Sequence, residues 1–204
     1  MKKTKVLLTL TCAILLVAAS VMGTLAYLTS TDSVKNTFTV GDAVSITLDE
    51  AETDANGTVV GNDRVKGNTY KLMPGHTYTK DPTVHVKGET CYVFITVSNG
   101  ISGIEAASET TTIAAQLAAK GWKVVDASKG LYVYATGTDA KTAVSKNTDL
   151  VVFSSFTVKE DADHAALEAV KSATIVINAY AVQKDGFEGN TPAEIWAATF
   201  GSNS

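Results

Sequence analysis

The sequence contains few cysteines, few prolines and no excess of basic residues. Two cysteines and three prolines occur among 204 residues, which excludes a small scaffold held together by disulfides. The formal net charge of −4 argues against a protein that binds nucleic acid, because such proteins carry basic surfaces. An apolar content of 45% excludes an intrinsically disordered chain. The composition is that of a globular protein.

Sequence motifs that carry catalysis are also missing. The chain has no H-E-x-x-H pair, no G-x-S-x-G turn and no phosphate-binding loop. His76, His85 and His164 share no short spacing typical of a metal site, and His85 is predicted to be a solvated residue on the outer face of a strand. The acidic stretches 49–52 and 159–163 lack the ligand order of an EF-hand and are predicted to be solvated loops. We therefore expect no catalytic residue, no metal ligand and no cofactor.

The first feature that is present is an export signal. Lysines within residues 2–5 precede an apolar run over residues 6–22, and small residues follow at Thr24 and Ala26. This order is typical of a secretory signal peptide, so residues 1–26 are predicted to be removed by a cut between Ala26 and Tyr27. The alternative is an uncleaved anchor, because the run approaches the roughly 20 residues that span a bilayer.

The predicted mature chain, residues 27–204, is more acidic than the whole. Removing residues 1–26 takes away three lysines and no acid, so the formal net charge falls from −4 to −7. Cys91 is then the remaining cysteine, and its apolar neighbours predict a buried, unreactive thiol. No second apolar run reaches transmembrane length. We expect a secreted or cell-surface protein that contacts the membrane only through an uncleaved signal.

Strand signals dominate residues 27–204. In residues 43–48, Val44, Ile46 and Leu48 alternate with polar residues, which indicates a strand with one buried face. Asn56-Gly57 predicts a tight hairpin turn, and Thr191-Pro192-Ala193-Glu194 predicts the start of a helix. Other strands are predicted over 34–40, 58–60, 83–86, 91–97, 122–125, 131–135, 150–156 and 174–182, with helices over 108–120 and 163–171. The pattern predicts a single domain, an antiparallel β-sandwich with two or three short helices.

Three local patterns within residues 23–97 resemble a known family. They are the junction 23–29, the strand segment 36–41 followed by 46–48, and the L-x-P-G turn 72–75 followed by Thr79-Lys80-Asp81. In order and spacing they are similar to the TasA–camelysin family of Gram-positive exported proteins, whose signals are cut by a SipW-type signal peptidase. This chain has Leu28 where the family usually has Phe.

The resemblance implies a jelly-roll sandwich and a role in a biofilm matrix. In the best-studied members, the N-terminal segment of one subunit completes the sheet of the next. Residues 27–38 contain no proline and carry Tyr27, Leu28, Val34 and Phe38 as the expected donor-strand anchors. Head-to-tail donation that does not close produces an open filament. The sequence therefore predicts a structural subunit of a matrix fibre or surface layer, whose partners are further copies and a SipW-type peptidase.

Two other functions stay open at this point. A monomeric cell-surface binding module is one, because β-sandwiches commonly present ligand loops at their ends. A camelysin-like metallopeptidase that cleaves casein is the other, and it requires a metal-binding constellation that the sequence does not offer.

Overall fold

The computed structural model describes residues 43–108 and 110–201. This part of the chain is mainly β, with antiparallel sheets and three α-helices, which confirms the predicted fold class. None of its helices is both long and apolar enough to cross a bilayer. The signal peptide 1–26, its cleavage site, the predicted strand 34–40 and the four donor-strand anchors lie outside the described residues.

Ten strands and three α-helices follow one another along the described chain. The strands are β1 Ile46–Thr53, β2 Val59–Val65, β3 Thr77–Thr79, β4 Thr83–Val86, β5 Cys91–Asn99, β6 Trp122–Asp126, β7 Leu131–Tyr134, β8 Asp149–Val151, β9 Ser155–Thr157 and β10 Ile175–Gln183. The helices are α1 Ile113–Ala119, α2 His164–Ala169 and α3 Pro192–Thr199, and a 3-10 turn spans Ala127–Lys129.

The strands form two four-stranded sheets and one two-stranded ribbon. The first sheet has the order β2-β1-β4-β8, the second has the order β10-β5-β7-β6, and β3 pairs with β9. All these pairs are antiparallel. The longest ladder joins β10 to β5, from Ile175 opposite Asn99 to Gln183 opposite Cys91.

Both large sheets bury side chains in one common core. Val84 of β4 and Val93 of β5 belong to the same buried cluster, together with Tyr78, Trp122 and Phe156. A second cluster lies between β5, β7 and α3, where Ile195 is fully buried. The described strands therefore pack as a sandwich, with α3 covering a further face of the second sheet.

Turn and cap chemistry explain the local boundaries. Gly57 adopts a left-handed φ of 79° between β1 and β2, as the predicted hairpin turn requires. Asp54 supports that turn by accepting hydrogen bonds from the backbone of Asn56 and Thr58. At α3, Thr191 and Glu194 form the predicted capping box.

Three sequence predictions differ from the structure, of which two are wrong and one is a correctly placed strand that is longer than predicted. Residues 49–52 are not a solvated loop, because β1 continues through them to Thr53. The predicted strand 58–60 extends to Val65. The predicted strand 150–156 is two strands, since residues 152–154 connect β8, which pairs with β4, to β9, which pairs with β3 in the ribbon. The Gln116 side chain holds this connection by accepting from Ser154 N at 2.9 Å and donating to Ser155 O at 2.8 Å.

Candidate functional site

A groove of about 950 Å³ opens between the two sheets. Its walls are residues 48–50 of β1, the β2–β3 connection at 66–72, α2 with the residues that follow it, and residues 175–177 at the start of β10. The groove therefore lies where an outer strand of the second sheet faces the first sheet.

The floor of the groove is apolar. Leu48 and Leu72 line one side, and Leu167 with Val170 lines the other. All of these side chains pack against the main core without being fully buried. Covering such surface is favourable by about 25 cal/mol per Å² of apolar area removed from water. An extended segment with apolar side chains on one face would gain that energy.

Strand β10 presents an open edge beside this groove. Among residues 43–108 and 110–201, its only ladder partner is β5. Val176 in this strand is 43% exposed, although it is a large apolar residue. A long edge strand with one unpaired side offers backbone N–H and C=O groups to another strand. The open edge and the apolar floor are adjacent.

One end of the groove is polar and buried. Lys80 and Glu50 are 8% and 4% exposed, and Lys80 Nζ lies 2.5 Å from Glu50 Oε2. Asn68 donates through Nδ2 to Glu50 Oε1 at 2.9 Å. Nearby, Tyr70 donates its hydroxyl to Thr79 O at 2.9 Å, and burial raises the pKa of Tyr70 to about 12. The ionic groups at this end are thus paired and largely hidden from water.

A second group of charges ties the strands of the first sheet together. His85 lies on the outer face of β4, as predicted, because Val84 and Val86 are the buried residues, but the prediction that it is solvated was wrong. The His85 side chain is only 13% exposed, with Nδ1 at 2.6 Å from Asp149 Oδ1 and Nε2 at 2.8 Å from Asp49 Oδ1. Arg64 forms ion pairs with both Asp49 and Asp81. Burial opposes ionisation of Asp49, but hydrogen bonds from Arg64 and His85 outweigh it and lower the pKa of Asp49. The prediction failed because β1 and β8 bring carboxylates over the imidazole from both sides.

The other candidate residues have separate surroundings. Cys91 is fully buried, as predicted, and burial raises the pKa of its thiol to about 11. His76 contacts Asn56 O through Nε2 at 2.8 Å, whereas His164 begins α2 at the groove. No three His, Cys, Asp or Glu side chains in the described parts of the chain are grouped to hold a metal ion. In the stretch 159–163, Asp163 caps α2 by accepting from Ala166 N at 2.8 Å.

Sequence reasoning missed the buried acid and amide of the groove. In the sequence, Lys80 stands out only as part of the Thr79-Lys80-Asp81 pattern, and the acidic stretch 49–52, which contains Glu50, predicts a loop. Strand parity contained the missing signal, since Glu50 shares the inward face of Ile46 and Leu48. Asn68 lies in a connection whose partners only the fold reveals.

Comparisons with known proteins return no relative of this chain. No family model matches it, and neither the curated proteins nor the solved structures include a significant match.

Proposed function

We propose that this chain is an exported, non-catalytic structural subunit of a biofilm-matrix fibre or surface layer. In this proposal, residues 27–38 of one copy add a strand to the open edge of β10 in the next copy. The observation that carries the proposal is the adjacency of that edge to an apolar groove. The same proposal includes jelly-roll connectivity, kinship with the TasA–camelysin family and cleavage by a SipW-type peptidase.

The chemistry of residues 27–38 suits such a groove. Leu28, Val34 and Phe38 occupy even positions, so an extended strand places all three on one face. The odd positions after Tyr27 are threonine, serine and lysine. At about 3.3 Å per residue, the segment spans roughly 40 Å, which exceeds the roughly 30 Å of the nine-residue β10. The segment is long enough to pair along the whole open edge.

Directional donation explains why the product would be a filament. The donor segment and the acceptor groove are different surfaces, so each contact leaves one free donor and one free acceptor. Cleavage after Ala26 would release the donor segment from the signal. Export and assembly would then be coupled in one step.

Truncation and point substitutions test this proposal. We expect residues 27–204 to form fibres visible by electron microscopy and residues 39–204 to stay monomeric by size-exclusion chromatography. On the donor side, Phe38→Asp should abolish fibres, whereas Thr37→Asp adds the same charge on the opposite strand face and should not. On the acceptor side, Leu167→Glu should abolish fibres, and Ala165→Glu on the exposed face of α2 is its control.

Mixing the two defective variants provides the sharpest result. Phe38→Asp still accepts a strand and Leu167→Glu still donates one, so the mixture should give heterodimers that grow no further. Fibres formed equally well by all four variants, or by residues 39–204, would overturn the proposal. Stable monomers of residues 27–204 that bind a glycan or matrix peptide would favour a surface-binding module instead.

A further inference from the structure

The polar end of the groove brings an amine, an amide and a carboxylate together. The Glu50 carboxylate lies between the other two groups, with Oε2 at 2.5 Å from Lys80 Nζ and Oε1 at 2.9 Å from Asn68 Nδ2. Two oxygens of one acid thus contact a nucleophilic nitrogen and a leaving-group nitrogen. A simple ion pair would need only the first contact.

The amide of Asn68 is held in a fixed orientation on β1. Its Oδ1 accepts a hydrogen bond from Thr53 N at 2.9 Å, and its Nδ2 also donates to Ala51 O at 2.9 Å. A backbone N–H aimed at an amide oxygen stabilises the negative charge that forms there when a nucleophile attacks the carbon. The site therefore contains a nucleophile, a proton carrier and an oxyanion donor.

We propose that Lys80 and Asn68 condense into an intramolecular isopeptide bond, with Glu50 as the catalytic acid and base. Glu50 accepts a proton from the Lys80 ammonium, and the neutral Nζ attacks Cγ of Asn68. The attacking nitrogen then loses a second proton. As the Cγ–Nδ2 bond breaks, Nδ2 keeps its own two hydrogens, takes up the two protons that Nζ has lost by way of Glu50, and leaves as ammonium. One Nζ–Cγ bond forms and one Cγ–Nδ2 bond breaks. No electrons are transferred, and Glu50 returns to its carboxylate form.

Burial supports this reaction in two ways. Lys80 and Glu50 are nearly inaccessible to solvent, so the proton passes between partners already in contact. Excluding water also protects the product amide from hydrolysis. The reacting groups are held in place by β1 and by the connections on either side of β3, which makes the encounter intramolecular.

The bond would brace the wall of the groove. It would join the β2–β3 connection to the β3–β4 connection and enclose the turn at Met73-Pro74-Gly75. Tyr70 and Leu72, which line the groove, lie inside the closed ring. This modification stands on the geometry around Glu50 alone and does not depend on strand donation.

Peptide mapping of the purified full chain tests the bond. Trypsin cuts after lysine, so an unmodified chain yields the separate peptides 67–71, 72–80 and 81–87. The isopeptide blocks the cut at Lys80, and we expect a branched product of 67–71 joined to 72–87. Its mass should equal the sum of the two peptides less one ammonia.

Two variants serve as controls for folding and for chemistry. Lys80→Arg keeps the charge beside Glu50 but removes the amine. Glu50→Gln keeps the size of the side chain and one acceptor oxygen for Lys80 or Asn68, but removes the proton carrier. Both variants should show a native circular dichroism spectrum, the chain mass calculated from their sequence without loss of ammonia, and no branched peptide. If either variant fails to fold, the branched peptide from the protein without substitutions remains a sufficient readout.

Three results would overturn the proposal. The first is recovery of peptides 67–71 and 72–80 as the only products from folded protein. The second is a loss of water instead of ammonia, which would indicate an amide between Lys80 and Glu50. The third is an ammonia loss that persists in Lys80→Arg and maps to Asn56-Gly57 or Asn99-Gly100, where a succinimide would explain it.

Discussion

Two glycines with the same backbone conformation allow a matched test of packing in the second sheet. Gly130 and Gly137 have φ angles of 57° and 56°, so alanine suffers the same left-handed strain at both positions. That strain costs about 1 to 2 kcal/mol. At Gly130, an added Cβ would lie 2.2 Å from the carbonyl oxygen of Val97, whereas at Gly137 nothing lies within 4 Å.

The collision at Gly130 involves backbone that is already hydrogen bonded. Val97 N donates to Gly130 O at 2.9 Å, so β5 and the start of β7 cannot separate without loss of that bond. Relieving such an overlap typically costs a further 1 to 3 kcal/mol, roughly. We therefore expect Gly130→Ala to lower the free energy of unfolding by about 2 to 5 kcal/mol, and Gly137→Ala by about 1 to 2 kcal/mol.

Urea denaturation followed by tryptophan fluorescence measures both values through linear extrapolation. The difference between the two variants isolates the close approach to Val97, because the backbone strain cancels. Losses that agree within about 0.5 kcal/mol, close to the error of such extrapolations, would refute the reasoning.

Three further predictions concern the core, the thiol and the last helix. Ile195→Ala should lower the free energy of unfolding by about 2 to 5 kcal/mol in the same assay, because Ile195 is the fully buried anchor of α3. Cys91 should resist a thiol reagent at neutral pH until urea unfolds the chain, because burial hides the thiol and raises its pKa to about 11. Rapid labelling of native protein would contradict this. Hydrogen bonds from the Thr191 backbone and side chain lower the pKa of Glu194 below its ordinary 4.5. Its contribution to stability is therefore fully present above that value and is lost as the pH falls through the lower folded pKa. Thr191→Ala should flatten this part of the stability profile between roughly pH 3 and 5.

Local chemistry made several elements predictable. Thr83–Val86 is a strand with the predicted bounds because its alternating residues and its flanking turns agree. The capping box of α3 forms as predicted, since all its partners lie within four residues. These features need no information from distant parts of the chain.

The groove was less predictable, because its parts are distant in sequence. Glu50, Asn68 and Lys80 meet only after β1 pairs with both β2 and β4. A cluster of acidic residues ordinarily indicates a solvated loop, and the parity that Glu50 shares with Ile46 and Leu48 is informative only because β1 continues to Thr53. The division of 150–156 into two strands likewise depends on Gln116 of α1, which accepts a hydrogen bond from Ser154 N and donates one to Ser155 O.

The two proposals make separable claims about the same groove. Strand donation requires a preformed wall, because ordering loose segments on binding reduces affinity. A bond between Lys80 and Asn68 would fix that wall before a donor strand arrives. If Lys80→Arg polymerises as well as the protein without substitutions, the ion pair with Glu50 is enough to hold the wall of the groove. The isopeptide bond would then stabilise the fold without promoting assembly. If Lys80→Arg folds but polymerises poorly, while Phe38→Asp still forms the branched peptide, covalent bracing precedes and promotes assembly.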